Sequence, residues 1–127
     1  MPVRGIRGAI VAEADNPEAI YTATTELLEA ILAANPGLQP DELASAIFTV
    51  TDDLSSAYPA TAARRFGWTQ VPMLCAREIP VPGGLPRCIR LLLHWNTGLH
   101  PSEIHHVYLG EAARLRPDLE RGQKTGK

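Results

Sequence analysis

The sequence has 127 residues, of which 45% are apolar, and this length favours one domain whose core needs no disulfide staples. Its two cysteines are too few for a disulfide framework, no apolar run reaches membrane-spanning length and no signal peptide is recognisable, so a cytoplasmic protein is predicted. The net charge of −2 combines −7 over residues 1–53 with +5 over residues 54–127. A basic half of this size, with no basic stripe and no interleaved aromatic residues, indicates a small anionic ligand rather than a nucleic acid.

The first element is a predicted strand, Val3–Ala12, which is apolar on both faces and is therefore expected to be central in a sheet. Arg7 interrupts it. The residues on the same face as Arg7 are Gly5 and Ala9, so there is room beside the guanidinium for a ligand or for another part of the protein.

A helix is predicted next, because Asn16-Pro17-Glu18 supplies an N-cap, a proline at the first helical position and an acid in the first turn. Asn35-Pro36-Gly37 is predicted to end it. Its apolar residues recur at three- and four-residue steps: Ile20, Ala23, Leu27, Leu28, Ile31 and Leu32. This pattern is typical of a helix that packs on a core.

The middle of the chain is predicted to continue with the second strand, a helix and the third strand. Ser45–Thr51 is rich in β-branched and aromatic residues, and Asp52-Asp53 after it favours a turn over a metal site, because no third oxygen ligand has a useful spacing. Tyr58–Arg65 reads as a short helix. Thr69–Cys75 is a third strand, which Pro72 confines to an edge or a bulge.

After the Gly83-Gly84 turn, the segment from Cys88 to Trp95 alternates like a strand. One face is apolar and is predicted to lie in the core: Ile89, Leu91, Leu93 and Trp95. The other face carries Arg90 in mid-strand, beside Leu92. An always-charged guanidinium in that position needs an anionic partner or a water-filled cleft. Arg90 therefore lines an anion pocket, or it extends to a sheet edge or closes a structural ion pair.

The last predicted elements are a helical turn at Pro101–Glu103 and a strand over His105–Leu109, followed by a polar segment, Glu120–Lys127, that is expected to be a mobile tail. His94, His105 and His106 are the residues from which a metal site could be built. Adjacent histidines on a strand face opposite ways, which argues against it.

Five short blocks stand out when the chain is taken as a whole. In order they are Arg4–Ala9, Cys75 with Glu78, Gly83–Arg90, His106–Leu109 and Leu115–Leu119. Together they resemble the monofunctional, trimeric class of chorismate mutase. The five blocks follow the family order and span nearly the whole sequence, from Arg4 to Leu119.

The resemblance implies an α+β fold, a mixed β-sheet with flanking helices, that assembles into a trimeric pseudo-α/β barrel with active sites between neighbouring subunits. It places one domain over residues 1–119. It also implies the reaction, the intramolecular Claisen rearrangement of chorismate to prephenate in phenylalanine and tyrosine biosynthesis, which uses no cofactor and no metal.

The resemblance further implies the residues of the site. The catalytic residues would be Arg90, Glu78 and Cys75, and the substrate-binding residues would be Arg7, Tyr108, Arg116, Arg64, Tyr58 and Leu115. Arg7 and Tyr108 would hold a carboxylate of the side-chain fragment, and Arg90 would face that fragment and the ether oxygen. Glu78 with Cys75 would meet the ring hydroxyl, and Arg116 would lie near the second carboxylate.

The chain departs from the family pattern on one helix. Tyr58 and Thr61 stand where the family often has phenylalanine and lysine, and Arg64, about one turn later, is the residue that would supply the missing cation. Two other functions remain open from the sequence: a non-catalytic trimer that binds a small anion, and a metal hydrolase that uses the histidines.

Overall fold

A computed structural model of the chain describes residues 1–115, and within them the architecture is one mixed sheet with its two α-helices on one face. The strands are β1 (Val3–Val11), β2 (Leu43–Val50), β3 (Met73–Arg77), β4 (Cys88–Asn96) and β5 (Val107–Tyr108). The helices are α1 (Pro17–Ala34) and α2 (Pro59–Arg65), and 3₁₀ segments lie at Pro40–Glu42, Pro101–Glu103 and Gly110–Leu115. The predicted mixed sheet with flanking helices is confirmed.

The strand order in the sheet is β3-β2-β4-β1-β5. β4 lies in the middle and pairs antiparallel with both β1 and β2, whereas β3 and β5 pair parallel with β2 and β1 at the two edges. β1 is therefore an inner strand, as its apolar composition predicted. β3 is an edge strand, as Pro72 required.

Helix α1 begins and packs as the sequence predicted. The Asn16 side chain accepts a hydrogen bond from the Ala19 backbone N–H at 2.8 Å, so one of the unpaired donors of the first turn is satisfied. The buried residues of the helix are Ile20, Ala23, Thr24, Leu27, Leu28 and Ile31. A Cβ atom at Gly8 of β1 would lie 3.0 Å from Ile31 Cδ1, so the glycine permits the close approach of α1 to the sheet.

The two faces of the sheet have different surroundings. The face under the helices is the core, and it includes Ile89, Leu91, Leu93 and Trp95 of β4, as predicted. The opposite face, called the open face below, is not covered by α1 or α2. Leu74 on it is 70% exposed, Ile47 and Leu92 are half-buried, and Arg7 and Arg90 are exposed.

The prediction that the third strand runs over Thr69–Cys75 was wrong in its bounds, because β3 begins at Met73 and continues to Arg77. Pro72 has no N–H to donate, so only its carbonyl joins the sheet, accepting from Ala46 N at 2.9 Å. Because β3 ends at Arg77 rather than at Cys75, Glu78 is the first residue after the strand.

Two other strand predictions need correction. β5 spans Val107–Tyr108 rather than His105–Leu109, because the Asn35 side chain occupies the main-chain groups of His105 and so replaces a neighbouring strand there. β2 begins at Leu43, with a register irregularity between Leu43 and Ser45, two residues earlier than predicted. Arg116, the predicted domain end at Leu119 and the predicted tail over residues 120–127 lie outside the described residues.

Candidate active site

The open face carries a charged cluster at the centre of the sheet. Arg90 of β4 lies opposite Thr49 of β2 in the strand register. Glu78 follows β3, and its backbone N–H donates to the carbonyl of Val50 at 3.0 Å, which holds the residue against β2. Arg90 Nε lies 3.4 Å from Glu78 Oε2, and the Thr49 hydroxyl donates to the same carboxylate oxygen.

Arg7 and Tyr108 extend this cluster across β1 to β5. Arg7 lies opposite Leu92, and Arg90 lies opposite Ala9, so the two arginines are diagonal neighbours on adjacent strands, with side chains about 7–8 Å apart at their bases. Tyr108 is paired with Ala9. The backbone N–H of Arg7 donates to His106 Nδ1 at 3.0 Å.

A small apolar cluster supports the same region. Ala9, Cys88 and Ala112 are buried together, and Tyr108 and Leu115 pack against them. The structure therefore brings five of the predicted site residues to one region of the open face. This group, called the open-face half below, is Arg7, Glu78, Arg90, Tyr108 and Leu115.

A turn stabilised by Asp53 sets where β4 begins. The position of Arg90 on β4 depends on that turn. Arg87 has a positive φ of 51°, an uncommon conformation for a residue other than glycine. Its backbone N–H donates to the Asp53 carboxylate at 2.9 Å, and its Nε donates to the carbonyl of Ala12 at 2.9 Å. Asp53 thus has the turn and capping role that its position in the sequence indicated.

Cys88 is the buried thiol of this region. Burial raises the pKa of the Cys88 thiol above its usual range, and the positive charge of Arg90 offsets part of that rise. A neutral buried thiol is a poor nucleophile. Cys75 is half-buried instead and lines a cleft of about 450 Å³ together with Tyr58.

We expect the two cysteines of the folded protein to differ in their reaction with a thiol reagent. Cys75 should react at neutral pH, whereas Cys88 should react only after unfolding, because its thiol is both buried and held neutral. The measurement is the release of thionitrobenzoate from Ellman's reagent, with and without denaturant. Cys75→Ser should abolish the fast phase and Cys88→Ser should leave it, and a fast phase that survives in Cys75→Ser would contradict the assignment.

A second group of predicted residues lies away from the open-face half. Cys75 packs against the main core under the helices, whereas Leu74 and Ala76 on either side of it face the other way. Tyr58, 69% exposed, is the N-cap residue of α2, and Arg64 lies in the last turn of that helix. The guanidinium of Arg64 donates to the Thr61 hydroxyl at 3.3 Å. This group, called the edge half below, is Tyr58, Arg64 and Cys75.

The loop before α2 is held in place by Asp15. Its carboxylate accepts from the Ser56 hydroxyl at 2.7 Å and from the backbone N–H groups of Ser55 at 3.0 Å and Ser56 at 3.1 Å. The hydrogen bonds from Ser56 and Ser55 lower the pKa of Asp15. The loop that leads to Tyr58 is thereby anchored to the start of α1.

Within one chain, the structure does not bring Cys75 next to Glu78. The two residues are three positions apart, so they leave β3 toward opposite faces. Sequence reasoning missed Thr49 as a site-forming residue. It belongs to no motif, and it gains its role only through the pairing of segments distant in the sequence.

The cleft beside α1 has the wrong charge for an anion site. A cleft of about 740 Å³ beside α1 is lined by Glu13, Glu18, Glu26 and Glu111 against one arginine, Arg87, so its charge disfavours a dicarboxylate. Within residues 1–115, no three His, Cys, Asp or Glu side chains lie close enough to share a metal ion. No helix in that range is both long and apolar enough to cross a bilayer.

A family model, two related sequences and a solved structure that match this chain are all chorismate mutases. The family model described as chorismate mutase type I matches residues 3–119. A chorismate mutase AroH from Thermus thermophilus is 60% identical over 121 residues, which are 95% of this chain and 99% of that protein. A chorismate mutase AroH from Bacillus subtilis (strain 168) is 40% identical over 126 residues, 98% of both chains. The solved structure of a chorismate mutase from Clostridium thermocellum superposes with a TM-score of 0.83 at 44% identity, covering 87% of this chain and 97% of that one.

Proposed function

The chain belongs to the chorismate mutase type I family, and we propose that it converts chorismate to prephenate in a site made of the open-face half of one subunit and the edge half of its neighbour. The observation that carries the proposal is the cluster on the open face. Arg7 and Arg90, on adjacent strands, share with Glu78 a face that α1 and α2 do not cover. Two fixed cations and one carboxylate match a substrate that has two carboxylates and a ring hydroxyl.

The reaction explains why cations matter here and nucleophiles do not. In the Claisen rearrangement one C–O bond breaks while one C–C bond forms within the same molecule, so no covalent intermediate with the protein is needed. The ether oxygen gains negative charge as its bond breaks. A donor aimed at that oxygen stabilises the transition state more than the substrate, and this difference is what accelerates the reaction.

Each residue of the open-face half has a role under this proposal. Arg7 and Tyr108 hold the carboxylate of the side-chain fragment, and Arg90 meets that fragment and the ether oxygen. Glu78 accepts from the ring hydroxyl. Leu115 packs on the same buried cluster as Tyr108 and forms part of the wall.

The edge half completes the site from the neighbouring subunit. Cys75 would meet the ring hydroxyl, Tyr58 would form a wall, and Arg64 would supply a cation in place of the lysine that the family often has at Thr61. Arg116, outside the described residues, is proposed to lie near the second carboxylate. Because Cys75 and Glu78 leave β3 toward opposite faces, they can meet one substrate only if they come from different subunits.

A homotrimer is supported by the apolar part of the open face. Leu74 is 70% exposed, and Ile47 and Leu92 beside it in the register are half-buried. A contiguous apolar patch on a sheet face that neither α1 nor α2 covers is typical of an interface. We propose that three subunits cover this patch for one another and that the enzyme works in the cytoplasm, where its two unpaired cysteines stay reduced.

The test of the proposed function is the loss of chorismate absorbance with purified protein treated with a chelator. We expect first-order conversion to prephenate at an undiminished rate after metal removal, because no step of the rearrangement needs a metal. Boiled protein is the control for the slow uncatalysed reaction. A protein that binds chorismate without converting it would instead be the non-catalytic anion-binding trimer, and a rate that requires added metal would contradict the mechanism.

A further inference from the structure

The two oxygens of the Glu78 carboxylate differ in their hydrogen-bond and ion-pair partners. Its Oε2 accepts from the Thr49 hydroxyl, and the same oxygen lies 3.4 Å from Arg90 Nε. Oε1 has no hydrogen-bond partner among residues 1–115. A charge-assisted hydrogen bond between a guanidinium and a carboxylate is normally about 2.7–2.9 Å long. The ion pair with Arg90 is therefore loose, and Thr49 makes the closer contact with the carboxylate.

We infer that Thr49 is a positioning residue that keeps Glu78 from closing onto Arg90. Thr49 and Arg90 are direct neighbours in the β2–β4 register, so the hydroxyl holds the carboxylate on the β2 side of the guanidinium. Without it, the carboxylate would be able to form the bidentate pair that guanidinium groups favour. Such a pair would offset the positive charge of Arg90 and occupy its donors before the substrate arrives.

The same contact leaves Glu78 ready for the substrate. With Oε2 held by Thr49, the second oxygen remains available to accept from the ring hydroxyl. Glu78 is 24% exposed at its side chain, which is enough for a substrate in the open face to reach it. Thr49 itself does not touch the reacting atoms under this account. It acts through Glu78, and this inference rests on the proposed site.

Thr49→Val is the informative substitution, because it removes the hydroxyl while keeping the β-branched shape that suits a strand. The loss of a hydrogen bond to a charged group typically lowers a rate or equilibrium constant by roughly 10- to 100-fold. We expect kcat to fall by about that factor, with a change in KM of less than about threefold, since the binding of the carboxylates by Arg7 is untouched. Thr49→Ser, which keeps the hydroxyl, should stay within about threefold of the wild-type kcat.

A double-mutant cycle separates positioning from a merely structural role. If Thr49 acts through Glu78, Thr49→Val should cost less than about twofold in a Glu78→Gln background, where the ion pair is already absent. Thr22→Val on the exposed surface of α1 is the matched control and should leave kcat unchanged. Thermal unfolding of each variant reports folding, and Thr49→Ala replaces Thr49→Val if the latter does not fold.

Three results would overturn the inference: a wild-type kcat in folded Thr49→Val and Thr49→Ala, equal losses in Thr49→Ser and Thr49→Val, or an undiminished loss in the Glu78→Gln background. The wild-type enzyme distinguishes this failure from a failure of the proposed function. If the wild type does not convert chorismate, the function is wrong. If it does and the Thr49 variants behave like it, only the positioning role is wrong.

Discussion

Replacing Arg90 with alanine is expected to lower kcat by about 10²- to 10³-fold, the usual loss when one preorganised donor to a developing negative charge is removed. KM should change much less, because under the proposed assignment Arg7 and Tyr108 would still hold the substrate. The measurement is kcat and KM for chorismate with the purified variant. Its circular dichroism and sedimentation are compared with those of the wild type to show that the variant is folded and assembled.

The magnitude follows from the charge that develops in the transition state. The Coulomb interaction between the guanidinium and a full unit charge about 4 Å away is about 4 kcal/mol at an effective dielectric of about 20. Half of that charge on the ether oxygen gives about 2 kcal/mol, or roughly 30-fold. In the proposed trimer, exclusion of water by the neighbouring subunit would strengthen the interaction further. A unimolecular rearrangement gains nothing from bringing two reactants together, so catalysis must come from holding the compact conformer and from stabilising charge that appears only in the transition state.

Arg90→Lys is the matched control, because it keeps the positive charge and loses the planar guanidinium with its several N–H donors. Lysine should restore activity poorly, since one ammonium cannot meet a carboxylate and an ether oxygen in the same geometry. The competing account is that Arg90 only pairs with Glu78 to hold the end of β3. In that case Arg90→Ala would lose stability, Arg90→Lys would keep most of the activity, and a folded Arg90→Ala trimer would turn over at a near-normal kcat.

The sequence was sufficient to identify the elements whose patterns are local. The alternation from Ile89 to Trp95 predicted the core face of β4, and the N-cap at Asn16 predicted the start of α1, because both depend on neighbouring residues alone. Arg7 and Arg90 stood out for the same reason, since a charge on a strand is visible without knowing which strands pair. The chorismate mutase family was also identified from the sequence, and the comparisons confirm it.

What the sequence could not supply was the pairing of distant segments. The parallel register between β2 and β3 brings Glu78 to Thr49, and nothing near either residue specifies that register. Ending the third strand at Cys75 also concealed that Cys75 and Glu78 face opposite sides. β5 is short because the Asn35 side chain replaces strand pairing at His105, a contact across 70 positions of the chain.

The separation of the two halves leads to the second large expected effect, which is recovery of activity when two inactive variants are combined. Arg90→Ala disables the open-face half, and Arg64→Glu disables the edge half by replacing a cation with an anion that repels the substrate carboxylates. Arg64 is exposed, so its replacement should not unfold α2. Each variant alone should have little activity, because every site in its trimer contains one damaged half.

A heterotrimer of the two variants behaves differently. In a cyclic trimer each interface joins the open-face half of one subunit to the edge half of the next. Whether the composition is two to one or one to two, one interface pairs the intact open-face half of an Arg64→Glu subunit with the intact edge half of an Arg90→Ala subunit. Activity of about one-third of the wild-type value is therefore expected, from one intact site among the trimer's interfaces.

The decisive measurement is the kcat for chorismate of heterotrimers obtained by co-expressing the two variants with different affinity tags and purifying on both tags in turn. Homotrimers of each variant, carried through the same steps, are the controls, and native mass spectrometry checks the composition. A site shared between subunits predicts recovery to about one-third of the wild-type kcat. A heterotrimer no more active than its parents would show that each site lies within one chain and would contradict the account.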